Sequence, residues 1–516
     1  MRLPLDALLL ARTASGAVNQ TTLTIPSREP PYAQTLDPQL GSFSIEMDRW
    51  TDWAGPTVGS PNKFVNTALG QLSARTGKPV YLRVGANSED RGTLDLSVAV
   101  MNATFPPATP DTPAPEADAI KIGRDFYALS ANLPKGTDFH WGVNLKILND
   151  TETASQLTHL SESFKRPELA HANLRAVEIG NEADFYTGHT PGVSKPGWEA
   201  WNAANYTTTW VRNAKAALKI LDFKHTTLSP GSFANLLSLS GMGWGAPACY
   251  QAGLLDDEKV RAATRQFSMH TYSGAFSKGI PVHVGSLMSK ANVRGNLTIK
   301  LGDIVSTHAE GLEYTLSEGN SYGNHGIPGL SNGGEQTVWG VDHMLQIASL
   351  GIKRMHFHNG RGFMYNVLQP IGLAGTGVDD GTGLEGPHVS ALYHSFLVVA
   401  EATGKGQSKV VEIPTSLETL AAYGLYQGGR LARLVLINSA VFFEGGERSK
   451  ISVKLNGLRG KARRFHSPYT NATKGFTWAG QSFETPTSEP TGNVVEEAVD
   501  GVVELEATSV VLVHLE

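Results

Sequence analysis

The chain has 516 residues, of which 41% are hydrophobic and 18% charged, and this balance excludes an intrinsically disordered protein. The formal net charge is −5, and the sequence has no run rich in lysine and arginine, so a nucleic-acid partner is not expected. The single cysteine, Cys249, excludes an intrachain disulfide and a cysteine-based metal cluster. We predict that Cys249 is a small buried side chain.

The first 17 residues resemble a weak signal peptide. Arg2 precedes a short apolar stretch and small residues follow at 15–17, but Asp6 and Arg12 interrupt the pattern. Acceptor triplets for N-glycosylation begin at Asn19, Asn102, Asn149, Asn205, Asn296 and Asn471. We therefore expect a secreted glycoprotein. No stretch of about 18 apolar residues predicts a membrane span.

Residues 18–35 precede the main pattern of the chain. The segment Thr21–Ile25 alternates in the manner of a β-strand. Because a sheet can accept a strand from either terminus, we expect this segment to join a C-terminal sheet.

Eight short apolar runs of β type follow, and segments with helical spacing lie between them. The runs are Ser42–Asp48, Val80–Asn87, Asp138–Lys146, Leu174–Glu182, Thr226–Ala234, Phe267–Ser273, Leu312–Asn320 and Arg354–Gly360. The clearest helical segments are Asn62–Arg75, Ala117–Leu133, Trp198–Leu221 and Gln336–Leu350. This alternation predicts an α/β fold, a (β/α)8 TIM barrel over residues 36–385.

Helical periodicity is lost after about residue 385. Strand-like runs separated by Gly, Asn, Pro and Ser replace it, at Leu420–Tyr426, Ala432–Asn438, Lys450–Leu455, Val502–Leu505 and Ser509–Leu515. This pattern predicts an antiparallel β-sandwich domain over residues 386–516.

Two glutamates stand at the ends of predicted barrel strands. The fourth run ends in Asn181-Glu182, and the seventh leads into Glu318. The carboxyl ends of barrel strands form the active site, so both carboxylates are expected on the same rim. Glycoside hydrolysis needs two carboxylates that flank one bond, and a separation of about 5–5.5 Å gives retention through a covalent intermediate. Asn181 could hydrogen-bond a sugar 2-hydroxyl, and Glu178 is expected to be a buried partner of Glu182.

A set of motifs surrounds these residues in barrel order. They are Ser42–Asp48, Leu82–Asp90, Ile179–Glu182, His270–Tyr272, Ser317–Gly323, Gly340–Leu345 and Tyr365–Leu368. Together they resemble clan A glycoside hydrolases and, more narrowly, glycoside hydrolase family 79, the heparanase and β-glucuronidase family. The resemblance implies a retaining enzyme with Glu182 as the acid/base and Glu318 as the nucleophile.

The resemblance also implies residues for substrate binding. Tyr272 would orient Glu318, while Tyr322, the backbone of Gly323 and Tyr365 would hold the carboxylate of a uronic acid. Phenol hydroxyls and backbone N–H groups donate to an anion without carrying a full positive charge. They would let a net acidic protein bind an anionic sugar.

Further polar residues lie at the predicted strand ends. Those suited to sugar binding are Glu46, Asp48, Asn87, Ser88 and His270. His356 and His358 have the spacing of a metal-binding pair, but no third ligand is suggested nearby. We therefore expect neither a metal nor a cofactor.

One departure from the family concerns the run Gly323-Asn324-His325-Gly326, where the family often has more glycine. This change would alter the grip on the carboxylate or the space beyond it. It would favour a 4-O-methylated or a neutral sugar.

The leading interpretation is a monomeric exo-β-glucuronidase that acts on an oligo- or polysaccharide containing glucuronic acid. An endo-glucuronidase of the heparanase or hyaluronidase type is one alternative, although the rim loops carry few clustered cations for sulfates. Another clan A glycosidase activity is a second alternative. A non-hydrolytic carbohydrate-binding protein of the same fold is a third.

Overall fold

The computed structural model describes residues 19–109, 112–186, 201–234, 243–276 and 281–516. The expected signal peptide at residues 1–17 lies outside these described residues. Among the helices of the described residues, none combines the length and the apolar composition needed to cross a bilayer.

Within the described residues, eight parallel barrel strands lie where the apolar runs predict them. Their bounds are Gly41–Glu46, Leu82–Gly85, Asp138–Val143, Asn173–Ile179, Thr227–Ser229 continued by Gly231–Phe233, Gln266–Tyr272, Glu313–Asn320 and Met355–Asn359. The eighth strand pairs with the first, with Phe357 opposite Phe43. Pro230 divides the fifth strand, whose first half pairs with the fourth strand and whose second half pairs with the sixth. The predicted TIM barrel is confirmed.

Helices cover the outside of the barrel. Those of the described residues are Trp50–Ala54, Lys63–Thr76, Asp150–Ser163, Ala203–Ile220, Ala246–Gln251, Glu258–Ala263, Lys290–Thr298, Leu301–Ala309, Gly334–Ser349 and Ala391–Thr403. Side-chain caps fix where two of them begin. Asn62 accepts from the N–H of Val65, and Asn202 accepts from the N–H groups of Ala204 and Asn205.

The helix predicted over Ala117–Leu133 is wrong. The strand Ala119–Ile122 and a 3-10 turn at Tyr127–Asn132 occupy this region, and the strand pairs with the earlier strands Gly92–Leu94 and Met101–Thr104 in a three-stranded sheet. Ile120 and Ile122 are buried and their neighbours in the strand are exposed, which is the two-residue period of a strand. The prediction had assigned both isoleucines to a helical face.

A C-terminal β domain follows the barrel. Its strands are Ser408–Glu412, Leu420–Gln427, Arg430–Asn438, Lys450–His466, Thr477–Trp478, Glu497–Glu506 and Ser509–Leu515, all paired antiparallel. Two early strands complete the sheet. Asn19–Thr22 pairs in parallel with Lys450–His466, and Gln34–Leu36 pairs antiparallel with Ser408–Glu412.

The central strands of the β domain are apolar on both faces. In Leu420–Gln427, Leu420 and Ala422 pack in the core of the β domain, whereas Ala421 and Tyr423 pack with the core cluster of the barrel. Successive side chains of a strand point to opposite faces, so a strand that is apolar throughout needs cover on both sides. The barrel supplies one of these covers.

The helix Ala391–Thr403 lies beyond the boundary that we expected at residue 385. It packs against the barrel helices Lys63–Thr76 and Gly334–Ser349. It is therefore the outer helix that follows the eighth barrel strand, and the strands of the β domain begin after it.

Candidate active site

Glu182 follows the fourth barrel strand in an unusual backbone conformation. Its φ of 46° and ψ of 48° lie in the left-handed region, which is uncommon for a residue with a side chain. Gly180, two residues earlier, has φ 86°, and a Cβ there would lie 2.6 Å from the Cβ of Leu145. The N–H of Glu182 donates to the carbonyl of Ser232 on the fifth strand at 2.8 Å, which holds the turn in place. Strained backbone of this kind persists where the surrounding structure over-determines it.

Glu182 and Glu318 share one site at the mouth of the barrel. One side-chain atom from each of Glu182, His270 and Glu318 lies within 4.8 Å of the other two. The side chains of the two glutamates are 14% and 6% exposed. Residues far apart in the chain thus present two carboxylates to one small volume.

Glu182 is held as a neutral carboxylic acid. Burial raises its pKa well above the usual value, and the negative charge of Glu318 adds to this shift. Its Oε1 lies 2.9 Å from Nδ1 of His270. Burial lowers the pKa of His270 to about 4, so this imidazole is also neutral in mild acid.

His270 was expected to bind substrate, but the structure gives it another place. Its side chain has no exposed surface, and its Nδ1 contacts Oε1 of Glu182. We therefore correct the expectation: His270 is a hydrogen-bond partner of Glu182.

Glu318 is held as an anion by three neighbours. The hydroxyl of Tyr272 donates to its Oε1 at 2.9 Å, and Nη1 of Arg83 donates to its Oε2 at 2.8 Å. Nδ1 of His358 lies 3.7 Å from the same Oε2. Burial alone would raise the pKa of Glu318, but the positive charges of His358 and Arg83 lower it to about 2.

Arg83 connects the two catalytic strands, and the sequence analysis had not singled it out. It is fully buried on the second barrel strand and also donates to Glu178, to Oδ1 of Asn181 and to Oγ of Ser44. Its planar group has five donors, which lets one side chain bind all four partners. Glu178 is thus a buried partner of Arg83. The sequence had predicted that Glu178 would be a buried partner of Glu182.

Replacing Arg83 by methionine is expected to lower the free energy of unfolding by about 3–5 kcal/mol, because Glu178 and Glu318 would stay buried and lose the cation that pairs with both of them. Urea denaturation measures the change. Arg83→Lys is the matched control, since it keeps the charge and loses the planar fork. It should retain more stability than the methionine variant. A methionine variant as stable as the parent would contradict the proposed role of this ion pair.

His358 is a second cation beneath the site. Its Nε2 lies 3.2 Å from Glu46, and Oγ of Ser44 lies 3.3 Å from its Nδ1. Burial alone would lower the pKa of His358, but the charges of Glu318 and Glu46 raise it to about 9. The sequence had suggested His358 only as half of a metal-binding pair.

Of the four residues expected to contact sugar hydroxyls from the first two strands, Asn87 alone has appreciable exposed surface. Glu46 is 1% exposed and Ser88 is 0% exposed, and Ser88 donates both its N–H and its hydroxyl to Glu46. Asp48 accepts from the N–H of Ala117 at 2.6 Å, and burial together with the charge of Glu46 raises its pKa to about 7. The expectation is therefore corrected for Glu46, Asp48 and Ser88, which form the floor of the site.

The residues expected to hold a uronate carboxylate are only partly available. Tyr365 lies beside Tyr272, with ring centroids 6.1 Å apart, and both rings border Glu318. The N–H of Gly323, however, donates to the carbonyl of Gly274 at 2.8 Å, because these segments continue the pairing of strands six and seven. The backbone N–H of Gly323 is thus not free to bind an anion. Tyr365 borders the site, and the roles of Tyr322 and Tyr365 as donors to a carboxylate stay predictions.

Three side chains at the rim were not predicted as site residues, although one of them, His325, lies in the run 323–326 that departs from the family. Oε1 of Glu116 accepts from Asn87 at 3.4 Å and lies 3.6 Å from Nε2 of His325. The ring of His325 stacks on Phe363 at 3.8 Å and 11°, and Phe363 packs edge-on against Tyr365 at 5.6 Å. We call Glu116, His325 and Phe363 the rim clasp. Their loops follow the second, seventh and eighth barrel strands.

Glu182, His270 and Glu318 form the group of described side chains whose atoms are close enough to share a metal ion. Two observations favour a different role for them. Arg83 and His358 already place two positive charges beside Glu318, which opposes a further cation. The raised pKa of Glu182 also leaves this residue protonated, whereas a metal ligand must be ionised.

Known proteins resemble the chain in both parts of the fold. Residues 422–512 match the glycosyl hydrolase family 79 C-terminal beta domain. A β-glucuronidase from Neurospora crassa is 30% identical over 420 residues, which cover 77% of this chain and 71% of that protein. A β-glucuronidase from Aspergillus niger is 28% identical over 506 residues, which cover 90% of this chain and 88% of that protein.

A solved structure supports the same fold. The crystal structure of a 4-O-α-L-rhamnosyl-β-D-glucuronidase from Fusarium oxysporum 12S is 20% identical and superimposes with a TM-score of 0.78, covering 96% of this chain and 100% of that chain. The barrel, the β domain and these relatives define a glycoside hydrolase. The chain belongs to glycoside hydrolase family 79, as its resemblance in sequence predicted.

Proposed function

We propose that the protein is a retaining exo-β-glucuronidase, which removes terminal β-D-glucuronosyl residues from oligo- or polysaccharides. The observation that carries this proposal is the meeting of the Glu182 and Glu318 carboxylates in one buried site, where burial raises the pKa of Glu182 and neighbouring cations lower that of Glu318. The names of the two fungal relatives support glucuronic acid as the sugar.

The separation of the carboxylates supports retention. Oxygens of Glu182 and Glu318 within 4.8 Å of each other suit the retaining spacing of about 5–5.5 Å between the carboxyl groups. An inverting pair needs about 6.5–9.5 Å, because a water molecule must fit between the sugar and the base.

The protonation states assign the roles. Glu318 attacks the anomeric carbon as the nucleophile, and Glu182 gives its proton to the departing glycosidic oxygen. In the second step Glu182, now a carboxylate, takes a proton from the water that attacks the glycosyl–enzyme ester. The sugar leaves with its original configuration, Glu318 is released as an anion, and Glu182 is protonated again.

The surroundings of the site favour an anionic sugar in a closed pocket. The hydroxyls of Tyr322 and Tyr365 are neutral donors for a carboxylate, and the cations Arg83 and His358 lie below the sugar site. Among the described residues, the rim clasp joins loops that follow three barrel strands beside the site. A pocket bounded on that side by joined loops supports exo action.

The proposal predicts that the protein releases p-nitrophenol from its β-D-glucuronide at least about 10-fold faster than from its β-D-glucoside, since a hydrogen bond to a charged group contributes about 1.5–3 kcal/mol. The ratio of the two kcat/KM values is the measurement. Tyr365→Phe removes one donor and should reduce this preference by about 10-fold. Equal rates on both glycosides would contradict the glucuronidase assignment. Polysaccharide binding without release would favour a non-hydrolytic protein.

Secretion and N-glycosylation stay predictions of the sequence. Asn102, Asn149 and Asn205 are exposed, whereas Asn296 and Asn471 are half-buried. Asn149 caps a helix through its oxygen, so its amide nitrogen is not used by the cap. These positions are compatible with glycans at the exposed sites.

A further inference from the structure

The rim clasp completes an arc of contacts from Asn181 to Tyr365. Nδ2 of Asn181 donates to Oδ1 of Asn87 at 3.2 Å, and Asn87 in turn donates to Glu116. From Glu116 the arc passes through His325 and Phe363 to Tyr365, by the ion pair and ring contacts of the clasp. The arc therefore begins at Asn181, which is expected to bind the sugar 2-hydroxyl, and ends at Tyr365, which is expected to bind the C6 carboxylate.

The order of contacts along this arc matches the order of positions around a pyranose ring. In the pose that the proposed function implies, the anomeric carbon is at Glu318, the 2-hydroxyl at Asn181 and the carboxylate at Tyr365. The 3- and 4-hydroxyls lie between the last two positions on the side away from the anomeric carbon. If the sugar sits in this way, the members of the clasp that face those hydroxyls are Glu116 and His325.

Glu116 has the chemistry to recognise a free hydroxyl. Its side chain is 17% exposed. Burial alone would raise its pKa, but His325 and Arg91 hold the pKa below the usual value, so the side chain is an ionised acceptor. A carboxylate accepts a hydrogen bond from a hydroxyl, whereas an ether oxygen has no proton to give. A substituent on the 4-oxygen would thus remove the bond and bring bulk against the clasp.

A large groove lies on the other side of the clasp. Its volume is about 990 Å³, and its lining includes Phe276, Arg361 and Val378 together with His325 and Phe363. Neither catalytic glutamate lines it. His325 and Phe363 therefore form a partition between the groove and the catalytic residues. The groove has the size of pockets that hold small ligands, about 300–1,000 Å³.

The backbone indicates that His325 is held in place at some cost. Asn324, His325 and Gly326 have φ values of 59°, 66° and 88°, a run of three left-handed residues that is uncommon outside glycine. Strained positions of this kind cluster at ligand-binding sites, where surrounding contacts maintain them. Here those contacts are the stack on Phe363 and the pairing with Glu116.

We propose that Glu116 and His325 determine specificity by selecting a terminal glucuronosyl residue whose 4-hydroxyl is free, and by closing the sugar pocket off from the groove. This inference rests on the proposed function. It favours the unsubstituted sugar, in contrast to the 4-O-methylated sugar that the change in sequence at residues 323–326 had suggested. Opening the clasp would join the pocket to the groove and admit a glucuronosyl residue that carries a second sugar on its 4-oxygen.

The experiment compares three p-nitrophenyl β-glucuronides, with a free 4-hydroxyl, a 4-O-methyl group or a 4-O-glycosyl group. The parent protein should prefer the free hydroxyl over either substituted form by at least about 10-fold in kcat/KM. His325→Gly should raise the kcat/KM ratio of the 4-O-glycosyl substrate to the unsubstituted one by about 10-fold. Glu116→Gln should reduce the preference for the free 4-hydroxyl over the 4-O-methyl group, because the glutamine amide can also donate to an ether oxygen.

Asn324→Gly is the matched control. It removes the hydrogen bond from Asn324 to the carbonyl of Phe276 but no member of the clasp, so its substrate ratios should equal those of the parent. A parent protein that cleaves the 4-O-glycosyl substrate as fast as the unsubstituted one would overturn the inference and leave the glucuronidase activity intact. Unchanged ratios in both Glu116→Gln and His325→Gly would also overturn it. Failure to cleave any of the three glucuronides would instead overturn the proposed function.

Discussion

Replacing Glu318 by glutamine is expected to lower kcat on every β-glucuronide by at least about 10⁴-fold, the scale of losing a covalent nucleophile. An amide oxygen is a poor nucleophile, and the neutral side chain would also lose its ion pairs with Arg83 and His358. Steady-state release of p-nitrophenol measures the loss. A 2-deoxy-2-fluoro glucuronide should label the peptide that contains Glu318 in the parent protein and leave the variant unlabelled in mass spectra.

Glu313→Gln is the matched control for this prediction. Glu313 lies on the same barrel strand, but it is exposed at the opposite end and pairs with Lys353 at the surface. This variant should retain parental kcat. A label on another carboxylate, or substantial turnover by Glu318→Gln, would show that Glu318 is not the nucleophile.

Replacing Glu182 by glutamine is expected to have an effect that depends on the leaving group. Natural glycosides need a proton donor, so their kcat/KM should fall by about 10²–10⁴-fold. The dinitrophenolate of a dinitrophenyl glucuronide can depart without a proton, so the rate of forming the glycosyl–enzyme from this substrate should be nearly unaffected. The slope of log(kcat/KM) against the pKa of the leaving group is the measurement. Equal losses on both kinds of substrate would contradict the role of acid.

The pH dependence of activity tests the role of Glu182 in a second way. Its raised pKa keeps the carboxyl protonated in mild acid, and activity should fall as the pH rises through that pKa, because the ionised form cannot donate. Glu318, with a pKa of about 2, stays ionised throughout this range. The fall at high pH should therefore be absent from the Glu182→Gln variant assayed with the dinitrophenyl substrate.

The barrel could be predicted because its strands are buried on both faces and stand out as continuous apolar runs. The positions of Glu182 and Glu318 followed from this, since barrel chemistry occurs at the carboxyl ends of strands. The region Ala117–Leu133 failed for the opposite reason. A strand of an inserted sheet and a 3-10 turn take the place of the predicted helix, and the apolar residues of this region fit a helical spacing as well as the alternation of a strand.

The partners of the two glutamates were harder to predict. Arg83 stands inside the apolar run Val80–Asn87, and a charged residue on a fully buried strand must be paired, so that signal was present in the sequence. Its partners come from other strands, however, and only the closed barrel brings them together. Glu116 and His325 lie in loops whose meeting depends on loop conformation, which has no periodic pattern in sequence.

The central strands of the β domain are apolar on both faces, and this affects how the protein folds during synthesis. During synthesis every residue of the barrel leaves the ribosome before the strand Leu420–Gln427, whose Ala421 and Tyr423 cover the barrel core. The early segments Gln34–Leu36 and Asn19–Thr22 must also wait for late partners, the strands Ser408–Glu412 and Lys450–His466. Such distant pairings slow folding and leave apolar surface and strand edges open to aggregation meanwhile. A fragment that ends at Thr403 should therefore be poorly soluble, even though it contains both catalytic glutamates.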